Sequence, residues 1–283
     1  MKSTVKPNPI ERFRKKMLLG AHRAAQGSLV PALLALLCLP ATAPAMTFTA
    51  QPPVLYAGGR VLPGDWEAWR DLMLRVGDRI DTVAFYESGG GDSRAGRSIG
   101  EDIRKRKLRT VVSGRCSSAC ANMFLGGSTR QFALVDGKVT GVLGYHGSYN
   151  KETKRVNTRR SGDYFVQMTD GKMDEAFVER FIRLENQKGL MRFFHPVQRG
   201  KPDEPLVLLC TGNENRNELY EQCERIADVD AMTQGVVTTW GVYELALPPR
   251  LTGTGIRVQG ATAVVDTPDA AAPDTQPQPL RRD

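Results

Sequence analysis

Apolar positions along the chain switch repeatedly between two spacings. VLYAGGRV (residues 54–61) has the compact apolar character of a strand. DWEAWRDLMLRV (65–76) follows with Trp66, Trp69, Leu72 and Met73 at helical intervals behind a candidate N-cap, Asp65. DTVAFYES (81–88) then reads as a strand running into Gly89-Gly90-Gly91, and Asp92 is placed to cap a helix whose inner stripe is Ala95, Ile99 and Ile103. RTVVSG (109–114) is a short β-branched strand, a helix begins in the cysteine-serine run behind it, and TGVLGYH (140–146) is a further strand ending on His146. Strand and helix in alternation predict an α/β domain with a mostly parallel sheet, in which functional residues gather where strands end and helices begin.

The pattern is less regular beyond residue 170. MDEAFVERFIRLENQ (173–187) predicts an amphipathic helix, with Met173, Phe177, Phe181 or Ile182, and Leu184 on one face. PLVLLC (205–210) and ELYEQC (218–223) predict a hairpin around TGNENRN, and DVDAMTQGVVTTWGVYE (228–244) a short helix closed by Gly241. From residue 251 to 283 the chain is mostly Thr, Gly, Ala, Pro and Gln, which predicts a disordered tail.

The first 45 residues do not read as part of the fold. A basic segment with Arg12, Arg14, Lys15 and Lys16 leads into SLVPALLALLCLPATAPA, which ends in the small-x-small site Ala43-Pro44-Ala45. The expectation is an export signal over 1–45, cleaved so that Met46 begins the mature chain, with an uncleaved membrane anchor as the alternative. The folded domain would then span 46–250, with the cysteine hairpin inserted near 205–224. This changes the charge picture. Residues 1–45 hold seven Lys/Arg and one Asp/Glu, so the remainder carries 32 basic and 30 acidic side chains, a net charge near +2 rather than the +8 of the full chain. The basic clusters RKRK (104–107) and KETKRVNTRR (151–160) lack interleaved aromatics, and no nucleic-acid partner is expected.

Export also decides how cysteine is read. Four remain after residue 45, namely Cys116, Cys120, Cys210 and Cys223, and an oxidising compartment, here the periplasm, favours disulfides. Three pairings are open, of which the hairpin favours Cys210 with Cys223 and so Cys116 with Cys120. The Cys-x-x-x-Cys spacing with distant histidines matches no familiar metal-ligand set, so no metal or other cofactor is expected.

The candidate chemistry centres on GRCSSACANMFLGG (114–127). Ser118 lies at a predicted helix N-terminus, where free backbone N–H groups favour developing negative charge, and Ala119 would offer an oxyanion donor. Gly90 or Gly91, lacking side chains, could bring a second N–H close to a substrate carbonyl. The plainer reading is that Ser117 or Ser118 merely caps the helix. Only two histidines follow residue 45. His146 ends the strand after the serine helix, whereas His195 precedes a proline in a poorly patterned segment and reads as a surface or loop residue.

In this order, four blocks resemble the Clp-protease/crotonase superfamily, and in particular exported bacterial members with a Cys-x-Ser-Ala-Cys-Ala run. DTVAFYESGGGDSRAG resembles their strand and glycine turn, and GRCSSACANMFLGG their nucleophile helix. STRQFALVDGKVTGVLGYHGS resembles the segment ending in the catalytic histidine, and DAMTQGVVTTWGVYE the closing helix. The resemblance covers residues 54–149 well and the rest thinly. It implies a β-β-α superhelix, peptide hydrolysis by acyl transfer through Ser118 with His146 as base, a peptide or protein substrate, and an open question of homo-oligomer formation. Asp228 is the first choice for a third catalytic member, with Glu224, Asp163, Asp170 and Asp174 as rivals; a related lysine-based branch, resembling signal peptide peptidase A, would draw on Lys138 or Lys151. Gly89 stands where the family writes proline, and Gly147 and Ser148 replace its Gln-Pro. The competing reading is a non-catalytic binding protein that kept the fold.

Overall fold

The structure is a computed structural model. It describes residues 45–150, 153, 161–199, 206–214 and 220–246, and the backbone alone of 156–157, 256–259 and 262–265. The signal expectation for 1–45 falls outside these residues except at Ala45, and Lys151 also lies outside them.

The strands in chain order are β1 (Thr47–Gln51), β2 (Val54–Val61), β3 (Thr82–Gly91), β4 (Arg109–Ser117), β5 (Thr129–Val135), β6 (Lys138–Val139), β7 (Val142–Tyr145), β8 (Ser148–Tyr149), β9 (Val156–Asn157), β10 (Leu190–Phe194), β11 (Val207–Cys210), β12 (Glu224–Ile226), β13 (Tyr243–Glu244), β14 (Ile256–Gln259) and β15 (Thr262–Val265). The α-helices are α1 (Asp65–Val76), α2 (Ser93–Lys105), α3 (Ala119–Leu125), α4 (Ser161–Met168) and α5 (Glu175–Ile182). All strands but β8 and β9 join one mixed sheet, which makes this a mixed α/β fold. Its centre, β2-β3-β4 with β5 and β7, is parallel as the strand–helix alternation predicts. Its flanks, β1-β14-β15 and β10-β11-β12, are antiparallel.

Helices α1, α2, α3 and α5 form where the apolar spacing places them, α5 being shorter than the predicted 173–187, and α4 is an element the spacing did not announce. Trp69, Leu72 and Met73 of α1 are buried, and the Trp69 indole N–H donates to Asp102 of α2 at 2.8 Å. Ala95, Ile99 and Ile103 of α2 are buried, and Asp92 Oδ1 accepts from the amides of Arg94 and Ala95, so the predicted cap and stripe are both present. In α5, Phe177, Val178, Phe181 and Ile182 face the core, with Asp174 capping through Phe177 N at 2.7 Å. Among the described residues, no helix is long and apolar enough to cross a membrane.

Several expectations are corrected. Asp65 is the first helical residue rather than the cap of α1; Gly64 holds the cap position, and the Asp65 carboxylate turns back to accept from Leu62 N at 2.6 Å. The 228–244 segment makes no helix. Asp230 starts one turn by accepting from the amides of Met232 and Thr233, and Gly235, at φ 64°, ends it. Residues 220–222 form a single 3₁₀ turn, and the second strand of the cysteine hairpin, β12, begins after Cys223. Within the tail expected to be disordered, β14 pairs with β1 and β15 pairs with β14. IRVQ thereby covers the otherwise open edge of β1, and the β-branched TAVV adds the next strand.

Two disulfides close as the spacing suggests, Cys116–Cys120 and Cys210–Cys223. Such bonds mark an oxidising compartment. At the other pole of the core, Arg130 of β5 is buried and gives its guanidinium to four backbone carbonyls. Nη1 reaches Gly127 O at 2.7 Å and Leu125 O at 3.4 Å, Nη2 reaches Gly235 O at 2.8 Å, and Nε reaches Val236 O at 3.1 Å. It thereby ties the end of α3 to the 235–236 turn.

Candidate active site

Three neighbouring strands become irregular at the same level of the sheet. The β2–β3 register shifts between Gly58 and Arg60, and the β3–β4 register shifts between Tyr86 and Ser88. Strand β4 exchanges neighbours, pairing with β5 through residues 109–112 and with β7 through 115–117. Gly114 lies between these two stretches at φ 68°, with its N–H donated to Thr140 Oγ1 at 3.2 Å. Aligned bulges of this kind turn the sheet through a corner. The strand tips beyond it carry the triple glycine, Ser117–Ser118 and Gly144–His146 to one place.

Ser118 is the joint between β4 and α3. Its amide donates to Gly144 O at 2.8 Å and its carbonyl accepts from Asn122 N at 3.0 Å. Its backbone sits at φ 57° and ψ −123°, a left-handed conformation that is uncommon for a residue with a side chain and costs on the order of 1–3 kcal/mol. Ser118 makes no capping hydrogen bond to α3 through its side chain, so the plain N-cap reading does not describe it. What holds the strained joint is covalent and steric. The Cys116–Cys120 bond spans it from strand to helix. Gly90, at φ 86°, packs so closely that a Cβ there would stand 2.5 Å from Ser117 O, 2.6 Å from Ser118 Cβ and 2.8 Å from Ala119 N. Only glycine fits that contact.

The three backbone groups expected to serve an oxyanion differ in availability. Ala119 N–H opens α3, where the first-turn amides have no intrahelical acceptor. Gly90 N–H faces Ser88 Oγ at 3.3 Å, and the same hydroxyl donates to Gly59 O at 2.6 Å, so the Gly90 amide already has a partner. Gly91 pairs in register with Val61 and lies against the Val61 carbonyl. Ser117, the other serine of the run, is buried with its Oγ unpaired.

His146 follows β7, two residues beyond the Gly144 carbonyl that holds Ser118. The structure thus brings Ser118, Ala119, Gly90, Gly91 and His146 to adjoining strand ends. The imidazole leans on Tyr149, ring centres 5.1 Å apart, and the Tyr149 hydroxyl donates to the carbonyls of Leu184 and, at 3.0 Å, Asn186. Burial lowers the His146 pKa to about 4, which keeps the ring neutral at neutral pH. Its Nδ1 is buried with no hydrogen-bond partner, and no Ser118–His146 hydrogen bond forms among the described residues.

Among the described residues, no carboxylate is hydrogen-bonded to that ring. Asp228 is exposed on the turn after β12, three strands from β7 across the sheet. Asp170 pairs with Arg104, Glu224 with Arg180 at 2.6 Å, Asp174 caps α5, and Asp163 is exposed on α4. Lys138 is exposed at the β5–β6 turn. His195 is buried rather than superficial, with Nε2 3.0 Å from Trp240 O. Sequence reasoning missed Tyr149 and Arg97, whose guanidinium donates to Ser148 Oγ at 3.0 Å beside His146. Tyr149 could have been found by proximity, three residues beyond the histidine; Arg97, on α2, has no such signal.

No family model and no curated protein matches the chain. Among solved structures, it is similar to a ClpP1 mutant from Listeria monocytogenes, at 18% identity and a TM-score of 0.36, over 46% of this chain and 80% of that one. It is similar to a mutant of the 1510-N membrane-bound stomatin-specific protease at 14% identity and a TM-score of 0.33, over 47% and 70%. It is also similar to a candidate enoyl-CoA hydratase from Streptomyces avermitilis at 12% identity and a TM-score of 0.36, over 55% and 64%.

Proposed function

We propose that the chain is an exported, periplasmic serine hydrolase of the Clp-protease/crotonase type, cleaving peptide bonds by acyl transfer. One observation carries the reading: Ser118 is held in a left-handed strand-to-helix joint by a disulfide and a glycine contact, at the level where His146 ends its strand. Strain kept in place at such cost is the usual mark of a residue under functional constraint. Ser118 Oγ attacks the substrate carbonyl while neutral His146 accepts its proton. The Ala119 amide receives the developing oxyanion, with Gly91 as the second donor once the substrate approaches. The proton on His146 then passes to the leaving amine, and water releases the acyl group by the reverse roles.

The unpartnered Nδ1 of His146 favours a second reading, a binding protein that retains the seat without turnover. Incubation of the disulfide-bonded protein with an unfolded polypeptide separates the two. The hydrolase reading expects fragments that disappear in Ser118→Ala; binding without fragments by both proteins supports the second.

A further inference from the structure

Among the described residues, Asp65 is a carboxylate without a counter-charge. It is fully buried at the start of α1, with Oδ2 taken by Leu62 N at 2.6 Å and Oδ1 left with no hydrogen-bond partner. The charge of Asp92, of like sign, raises its pKa further, and no ion pair among the described residues includes either carboxylate. Burial raises the Asp65 pKa to about 6. A buried carboxylate is costly unless a cation or a full set of donors meets it.

Besides Leu62, the backbone N–H of Met46 contributes favourably to the carboxylate, and Met46 is itself fully buried at the entrance to β1. Met46 is also the residue that the small-x-small motif Ala43-Pro44-Ala45 places at a new amino terminus. Hydrolysis of the Ala45–Met46 bond adds water across it. Ala45 departs with the new carboxylate, and Met46 keeps its nitrogen as an α-amine, which is protonated near neutral pH. A single amide donor thereby becomes a cation with three donors.

We propose that Asp65 is the binding site for the α-ammonium group of Met46, created when an export signal peptidase hydrolyses the Ala45–Met46 bond. The pair closes beneath the glycine turn. Val61, one residue before Leu62, accepts from Asp92 N at 2.9 Å, and its carbonyl lies so near Gly91 that a Cβ there would be 2.0 Å away. Gly90, next along, is the residue wedged against Ser118. Processing thus fastens the support of the turn that contacts the serine. The inference does not depend on Ser118 being a nucleophile.

The test begins with the exported, disulfide-bonded chain. Amino-terminal sequencing returns Met46, and an amine-acylating reagent spares that terminus in the native protein while modifying it in denaturant. Asp65→Asn is then compared in two chains, one beginning at Met46 and one that keeps Pro44 and Ala45 ahead of it after removal of a tag. In the Met46 chain the substitution lowers Tm by roughly 6–15 °C, the scale of breaking a buried ion pair, and in the extended chain by much less. An equal loss in both chains, no loss in the Met46 chain, or a different mature terminus overturns the proposal. Should Asp65→Asn not fold, a freely acylated α-amine in the native wild type overturns it on its own.

Discussion

His146 and His195 follow neighbouring antiparallel strands, β7 and β10, and sit at opposite ends of the pair. His195 is buried and His146 half-buried, but only the first is chemically spent. His195 accepts from Val197 N at Nδ1, at 3.2 Å, faces Trp240 O through Nε2, and packs edge-on against Phe132 and Trp240. His146 has a ring contact and an unused buried nitrogen. An imidazole with both nitrogens committed holds structure together. One whose buried nitrogen is uncommitted is kept at an energetic cost, which the proposed role as proton acceptor for Ser118 would account for.

The comparison is broken or sharpened first by substitution. His146→Ala should slow modification of Ser118 by a fluorophosphonate about 10⁴-fold, the loss expected when a general base is removed. His195→Ala should leave the rate within a few-fold yet lower stability by about 2–4 kcal/mol, through a lost carbonyl partner and a cavity beside Phe132. Interchanged effects would assign the roles the other way round. Arg130→Met extends the structural side of the contrast. It orphans four carbonyls and should lower stability by about 3–5 kcal/mol in a denaturant titration, with little change in labelling by the folded fraction.

A pH series sharpens it further. His146 binds its proton less tightly when folded, at about pH 4 against 6.5 unfolded. Its contribution to stability is therefore complete above pH 6.5 and lost as pH falls toward 4, by about 2–3 kcal/mol. In a chain that keeps Ala45 ahead of Met46, Asp65, raised to about 6, works in the opposite sense, stabilising at low pH and losing that contribution as pH rises through 6; pairing with the Met46 α-ammonium in the processed chain should remove that loss. The difference between wild type and His146→Gln isolates the histidine, and a difference that does not grow on acidification would mean the ring is already satisfied. The smallest contrast lies between the disulfides. Loop closure predicts a loss of about 3 kcal/mol for removing Cys210–Cys223 and about 2 kcal/mol for Cys116–Cys120. Only the second should also slow labelling, because it spans Ser118.

The legible parts of this molecule are those decided by neighbours in sequence. Asp92 caps the helix it precedes and Ile99 and Ile103 face inward because local spacing determines both. Gly90, Ser118 and His146 were identifiable as strand-end residues, and strand ends of a parallel sheet converge. Residues whose role depends on distant partners were not. His195 looked superficial because nothing near it in sequence announces Phe132 or Trp240. Asp65 stood where a cap belongs, yet its partners lie at Leu62 and Met46. The acid for His146 was sought at Asp228 by alignment of the closing segment, which folds as a turn at another edge of the sheet.

The central claim, that Ser118 is a nucleophile, is tested most directly by locating the adduct. The disulfide-bonded protein is treated with a fluorophosphonate, digested, and the modified residue identified by mass spectrometry. The account predicts a single adduct on Ser118, absent in Ser118→Ala and retained in Ser117→Ala. An unmodified protein with both disulfides formed, or an adduct on any other residue, would contradict it.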